Sequence, residues 1–329
     1  MTERELVQVA LDGGIPEHTT LFWTGGQMMV SSAIGNMPIP GTPGGYDWWG
    51  VHWTSCPEAG GAFAPTAGRA PVISDIENWK EQLTIPDISG IDWEAAAVRD
   101  TSYLDPNKLT NFFGLANGIF ERVHFLMGFE ETLVALITNP EEIAELANTI
   151  ADFYCQIIEK VGKYYQPDYL TLLDDYCQQT GPFMSQDTFR QCFAPALKKI
   201  RDTTEKNGMK FILHCCGKYG PLLECFHEIG IRRIEPCQPI NDIMEMKKKY
   251  TDMAFMGGLD LQKVIDNPEA TEEDWRCEVR RCVDEYSDGG RYVVYGVTLD
   301  MHNPEAYAPG KKMNVLIDEA LKYRVQLEK

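Results

Sequence analysis

From about residue 110 onward, short apolar runs alternate with longer amphipathic stretches. Asn139-Pro140-Glu141-Glu142 reads as a helix start, with Asn at the cap, Pro in the first turn and acids at the positive end, and predicts a helix to about Tyr165. Tyr169–Leu173 then predicts a strand ending at Asp174-Asp175, and Ser185 opens a helix reaching to near Gly208. The alternation continues with a strand from Met209 to Leu213 ending at His214, a helix over 218–229, a strand from Ile231 to Ile234 ending at Glu235-Pro236, and a helix over 240–250. Ala254–Met256 is the next strand, ending at Gly257-Gly258-Leu259-Asp260; a Thr271-capped helix to Gly289-Gly290, a strand Tyr292–Val297 and a C-terminal helix finish the pattern.

The strands are apolar on both faces, as in a parallel sheet covered on both sides. Strand and helix alternate without hairpins, which predicts α/β architecture; the even spacing of units favours a closed parallel (β/α)8 barrel, one domain over 1–329. Residues 1–70 differ. They hold four of the seven tryptophans, Trp23, Trp48, Trp49 and Trp53, among glycines and prolines. This N-terminal extension either covers an open end of the core or forms a lid over a flat ligand.

A net charge of −19 disfavours nucleic acid and anionic membrane as partners. Hydrophobic residues at 44 % and charged residues at 24 % suit a soluble globular chain with a large core. No apolar run approaches the length of a membrane span, and Met1–Gln8 lacks the apolar core of a signal peptide, so a cytoplasmic protein is expected, its ten cysteines reduced.

In parallel barrels the active site lies past the C-terminal strand ends. Those positions here carry Asp174, Asp175 and Gln178; His214 and Cys216; Glu235, Cys237 and Gln238; Asp260; and Tyr295, Thr298, Asp300 and His302. His214 and Cys216, two apart at a strand end, can face the same way, and imidazole plus thiolate is a zinc-type pair. Read alone, His-x-Cys is equally a backbone-bonded His beside a half-buried Cys. Asp174 and Asp175 suggest acid–base work or substrate orientation, with one of them capping a helix.

The string His214-Cys215-Cys216-Gly217, followed by Pro221-Leu222-Leu223, Gly230–Pro239 and Phe255-Met256-Gly257-Gly258-Leu259-Asp260, resembles the uroporphyrinogen decarboxylase superfamily. Asp174-Asp175 with Gly181-Pro182-Phe183-Met184-Ser185, and Gly128-Phe129-Glu130 to Asn139-Pro140-Glu141, fit it too. The resemblance covers residues 110–329 well and 1–70 loosely, and implies a (β/α)8 barrel. True decarboxylases grip porphyrinogen carboxylates with N-terminal arginines; here no arginine lies between Arg4 and Arg69. The corrinoid methyltransferase branch is therefore the better match.

That resemblance implies zinc held by His214 and Cys216, with a corrinoid on a partner protein and a small methylated donor (methyl ether, amine or betaine). Thiol-methylating members have a third zinc ligand in a late Gly-Cys-Gly turn, where Val297 stands here. Glu235 is the first substitute, Cys237 the second, and Cys215 and Asp260 are weaker. Asp174 or Asp175 would orient substrate or handle a proton. Trp23, Trp53, Gln178, Asp260, Tyr295 and His302 would face substrate or corrin. A homodimer is left open. The rival readings are a uroporphyrinogen decarboxylase and a non-catalytic barrel that binds a small ligand.

Overall fold

The computed structural model describes residues 1–38, 42–56, 62–105, 107–296, 298 and 303–327. Its main sheet has seven strands: β1 (Gly26–Met29), β2 (Thr110–Leu115), β3 (Tyr169–Leu173), β4 (Lys210–His214), β5 (Arg233–Cys237), β6 (Ala254–Gly258) and β7 (Tyr292–Tyr295). They stand in chain order and every pairing is parallel. Seven strands, not the expected eight, are found among the described residues. The backbone of Val294 donates to Thr20 O at 2.9 Å, and Leu21 bridges Val294 in parallel, so the segment leading into β1 also touches β7. A helical turn, Phe22–Gly25, separates that bridge from β1.

Alternation along each strand sorts side chains onto two faces. Phe112, Tyr169, Ile212, Ala254, Met256, Val293 and Tyr295 form the inner cluster. Phe113, Leu170, Leu172, Phe211, Leu213, Phe255 and Val294 point outward into the larger core beneath the helices. One end of the inner space is closed by helix α1 (Glu3–Leu11), started by a Thr2–Glu5 capping box. Val7, Ala10 and Leu11 enter the inner cluster. Beyond them, Asp12 accepts from the Tyr169 hydroxyl at 2.9 Å and pairs with Lys210 and Arg233, the first residues of β3, β4 and β5. The N-terminal strand ends are therefore sealed, leaving the C-terminal ends as the open side.

Three sequence expectations change in detail. The helix expected over 185–208 is two, Gln186–Cys192 and Ala194–Lys206, because Pro195 lacks an N–H and its ring clashes with a carbonyl one turn back. Helix 218–229 begins as a 3-10 turn, Gly220–Leu222. Hairpins do occur: Cys177–Gln178 pairs with Gly181–Pro182, and Gly44–Tyr46, His52–Cys56 and Ala62–Pro65 form an antiparallel sheet.

That small sheet is tied to helix α2 (Ile119–Met127), which follows β2. Asp47 accepts from the backbones of Trp49 and Val51 (both 2.9 Å), from the Trp53 indole (3.0 Å) and from Arg122 Nη1 (2.6 Å). The Asp47 and Arg122 side chains are both wholly buried. Arg122 also donates to Asn36 O at 2.7 Å and lies over the Trp49 ring. The tryptophans Trp49 and Trp53 are thus core residues of the extension.

Candidate metal centre at the open end of the sheet

Register sets the site. Leu173, His214 and Glu235 occupy one row across β3, β4 and β5. Two residues beyond Leu173 comes Asp175; two beyond His214 comes Cys216. These two stand level, and the Cys216 N–H donates to Asp175 Oδ1 at 2.6 Å. His214 Nε2 faces both, 3.4 Å from Cys216 Sγ and 3.8 Å from Asp175 Oδ1. The ligand atoms of Asp175, His214 and Cys216 all lie within 4.8 Å of one another. Gly217 follows at φ +87°, and a Cβ there would stand 2.7 Å from Gln178 O, so only glycine lets the chain turn against the hairpin.

Glu235 sits on the other side of the ring. Its Oε1 is 2.8 Å from His214 Nδ1, and its buried Oε2 has no hydrogen-bond partner. The structure therefore groups Asp175, not Glu235, with His214 and Cys216; Glu235 fixes which way the imidazole points. Cys237 is turned away from the group, accepting from the Tyr219 hydroxyl at 3.0 Å.

Electrostatics follow from this packing. Burial alone would lower the His214 pKa, but Glu235 and Cys216 outweigh it and hold the imidazole well above its ordinary value. Burial pushes the Cys216 thiol up, opposed by His214. Half-buried Glu121, in the first turn of α2, is pushed well above the usual carboxylate range by burial and then by Asp175 and Asp174. Glu121 thus lies within electrostatic reach of both aspartates and of His214. Sequence reading missed Glu121; the apolar run Phe112-Phe113-Gly114-Leu115 before the Asn117-Gly118 turn was the available signal for a strand end there.

The other candidates divide. Asp174 is fully buried and accepts from the backbones of Ile119 (2.7 Å), Phe120 (3.2 Å) and Glu121 (3.0 Å), capping α2 from another strand. Gly118 permits this, since a Cβ would come within 2.5 Å of the carboxyl carbon. Burial raises Asp174 to about 6 despite these donors and the Tyr176 hydroxyl. Its role is structural, and the aspartate of the pair that faces the site is Asp175. Tyr295 is buried in the inner cluster, with half-buried Trp23 at 5.6 Å and Phe22 at 4.9 Å between ring centres. Trp53, 1 % exposed and packed on Phe125 at 4.7 Å, cannot face a ligand. Gln178 is exposed on the hairpin rim. Asp260 caps the turn Leu261–Ile265 by accepting from Lys263 N at 3.0 Å. Val297, Asp300 and His302 lie outside the described residues.

A model of the family described as uroporphyrinogen decarboxylase (URO-D) matches residues 58–298. The chain belongs to that family. A search of the curated proteins gives no match. Among solved structures, a methyltransferase from Methanosarcina mazei is similar at a TM-score of 0.69 and 12 % identity, over 98 % of this chain and 99 % of that one. Xylanase B from Clostridium stercorarium F9 aligns at a TM-score of 0.39 and 12 % identity over 64 % of this chain and 73 % of its own, too weak a likeness to argue from. The chain shares its fold with that methyltransferase, which agrees with the curled parallel sheet. No helix among the described residues is long and apolar enough to cross a membrane.

Proposed function

We propose that this chain is a methyltransferase that removes the methyl group of a small donor (a methyl ether, amine or betaine) and delivers it to a corrinoid carried by a separate protein, with zinc held by Asp175, His214 and Cys216. The observation that carries the reading is the convergence of a carboxylate, an imidazole and a thiol at the open strand ends, in a fold shared with a methyltransferase. The donor set fits zinc: one N, one S and one O ligand, with the N and S 3.4 Å apart, near the spacing that bonds of roughly 2.0–2.3 Å require. When bound, zinc would supply Lewis-acid polarisation of a donor heteroatom that carries a lone pair, an ether oxygen or an amine nitrogen, and the corrinoid its own methyl-accepting chemistry.

The residues have separate tasks. Glu235 accepts from His214 Nδ1–H and so frees Nε2 for the metal, the usual carboxylate–histidine arrangement. With Asp175 as third ligand the set holds a carboxylate in place of the late thiolate of thiol-methylating members, whose position in the chain is taken by Val297. That makes the site harder and better suited to an ether oxygen or amine nitrogen. Burial and the two aspartates push the Glu121 carboxyl well above the usual range, which would suit it to carry a proton for the departing heteroatom. Trp23 and Tyr295 wall the inner side against water. The decarboxylase reading loses support, because Arg4 is engaged at the closed end with Asp168 and Leu109 O.

Zinc content and corrinoid absorbance test this. Wild-type protein should hold stoichiometric zinc and demethylate at least one of a panel of methyl donors onto a reduced corrinoid protein. His214→Ala and Cys216→Ser should lose both. Undiminished zinc in both variants would refute the metal assignment; coproporphyrinogen formation from uroporphyrinogen at an enzymatic rate would refute the methyl-transfer reading.

A further inference from the structure

A large cavity lies away from the His214 site. It has a volume of about 920 Å³ and lies between the antiparallel N-terminal sheet and the second half of α2. It shares no lining residue with the metal centre. Its walls are aromatic: Tyr46 and His52 on the sheet side, His124 and Phe125 on α2, and Phe129 just beyond. His52 and Tyr46 meet edge to face at 4.7 Å; His124 and Phe129 do so at 5.3 Å. A volume in this range with apolar walls and a few polar groups suits a one-ring molecule with room for substituents.

Charge selects the ligand class. On a chain of net charge −19, the lining carries a single acid, Glu131, and a single permanent cation, Arg69. Arg69 makes no ion pair among the described residues. Its Nη1 donates to the Tyr46 hydroxyl at 3.0 Å, and its guanidinium carbon lies 5.8 Å from the Tyr46 ring centre, which leaves most of its donors unpaired. The two histidines add hydrogen-bonding edges. His52 Nδ1 is fixed by the Thr66 hydroxyl at 2.7 Å. His124 is held neutral, down to about 4, by burial and then by Arg122, so charge recognition falls to Arg69. A guanidinium with free donors beside edge-to-face ring pairs matches a flat anion, which it can grip through paired N–H groups while the ring lies on Phe125 and Phe129.

We propose that this cavity is a second small-molecule site, separate from the metal centre, and that it takes a planar aromatic carboxylate. The test titrates the full-length, zinc-loaded protein with benzoate and, in parallel, with uncharged benzyl alcohol, followed by ligand-observed NMR. Benzoate should bind saturably in the millimolar range or below, and at least about tenfold more tightly than benzyl alcohol, as the loss of a charge-assisted hydrogen bond predicts. Arg69→Gln, at an exposed position, should weaken benzoate about tenfold or more and leave benzyl alcohol unchanged. His214→Ala should alter neither. Absence of saturable benzoate binding at millimolar concentrations, equal affinity for the two probes, or a loss that follows His214→Ala instead of Arg69→Gln would each overturn the proposal. Because His214→Ala removes the proposed metal without touching this cavity, failure of the metal reading leaves this result standing.

Discussion

Asp47 with Arg122, and Asp175 with His214 and Cys216, are two polar clusters of different kinds. In the first, four donors converge on one carboxylate and both charged side chains are wholly buried. In the second, Asp175 and His214 keep side-chain exposures of 35 % and 12 %, the ligand atoms face one another, and Glu235 Oε2 is left without a partner. In the first cluster the protein's own donors saturate the carboxylate, although Arg122 Nε is left without a partner, and the cluster holds the fold. The second presents part-exposed ligand atoms to one another, which is where a ligand would enter.

Arg122→Met sharpens this contrast most. It leaves the Asp47 carboxylate buried without its cation, and should cost about 3–5 kcal/mol, read as a lowered denaturation midpoint in urea. A loss under about 1 kcal/mol would mean the cluster is not the clamp between extension and α2. The paired aspartates come next. Asp174→Asn should destabilise by about 1–2 kcal/mol, since the neutral amide answers the α2 N–H groups less well than a carboxylate, while Asp175→Asn should leave stability unchanged and reduce zinc content. If the two variants exchange phenotypes, the assignment of the structural and the site-facing aspartate is reversed. The smallest effect is expected from Glu235→Gln. An orienting partner of a metal-bound histidine is worth roughly 10–100-fold in metal affinity, so zinc should be retained at saturating metal and lost to a weak chelator. Complete loss of zinc at saturating metal would instead make Glu235 a direct ligand.

The strands from Tyr169 to Gly258 were legible because a strand covered on both sides must be apolar throughout. Those at the N-terminal edge were not. In β2, Thr110 donates to Arg4 O and Asn111 N to Asp168, so closed-end contacts put polar residues into the strand. The His214–Cys216 pairing needed only the two-residue period of a strand. Choosing Asp175 over Glu235 needed the register: neighbouring strands suggested Glu235, yet its row places it beside Nδ1, whereas Asp175 stands level with Cys216. Trp53 was misjudged for a related reason. Its neighbours in sequence are the glycines and threonines of a lid, and what buries it, Phe125, lies far along the chain.

Helix α1 has a kinetic meaning as well as a packing one. With Val7, Ala10 and Leu11 stoppering the far end, the described residues leave the C-terminal strand ends as the open approach to His214. Under the proposed methyl transfer, the spent donor and the corrinoid carrier would use the same entrance, and the departure of the first would set the pace for the second.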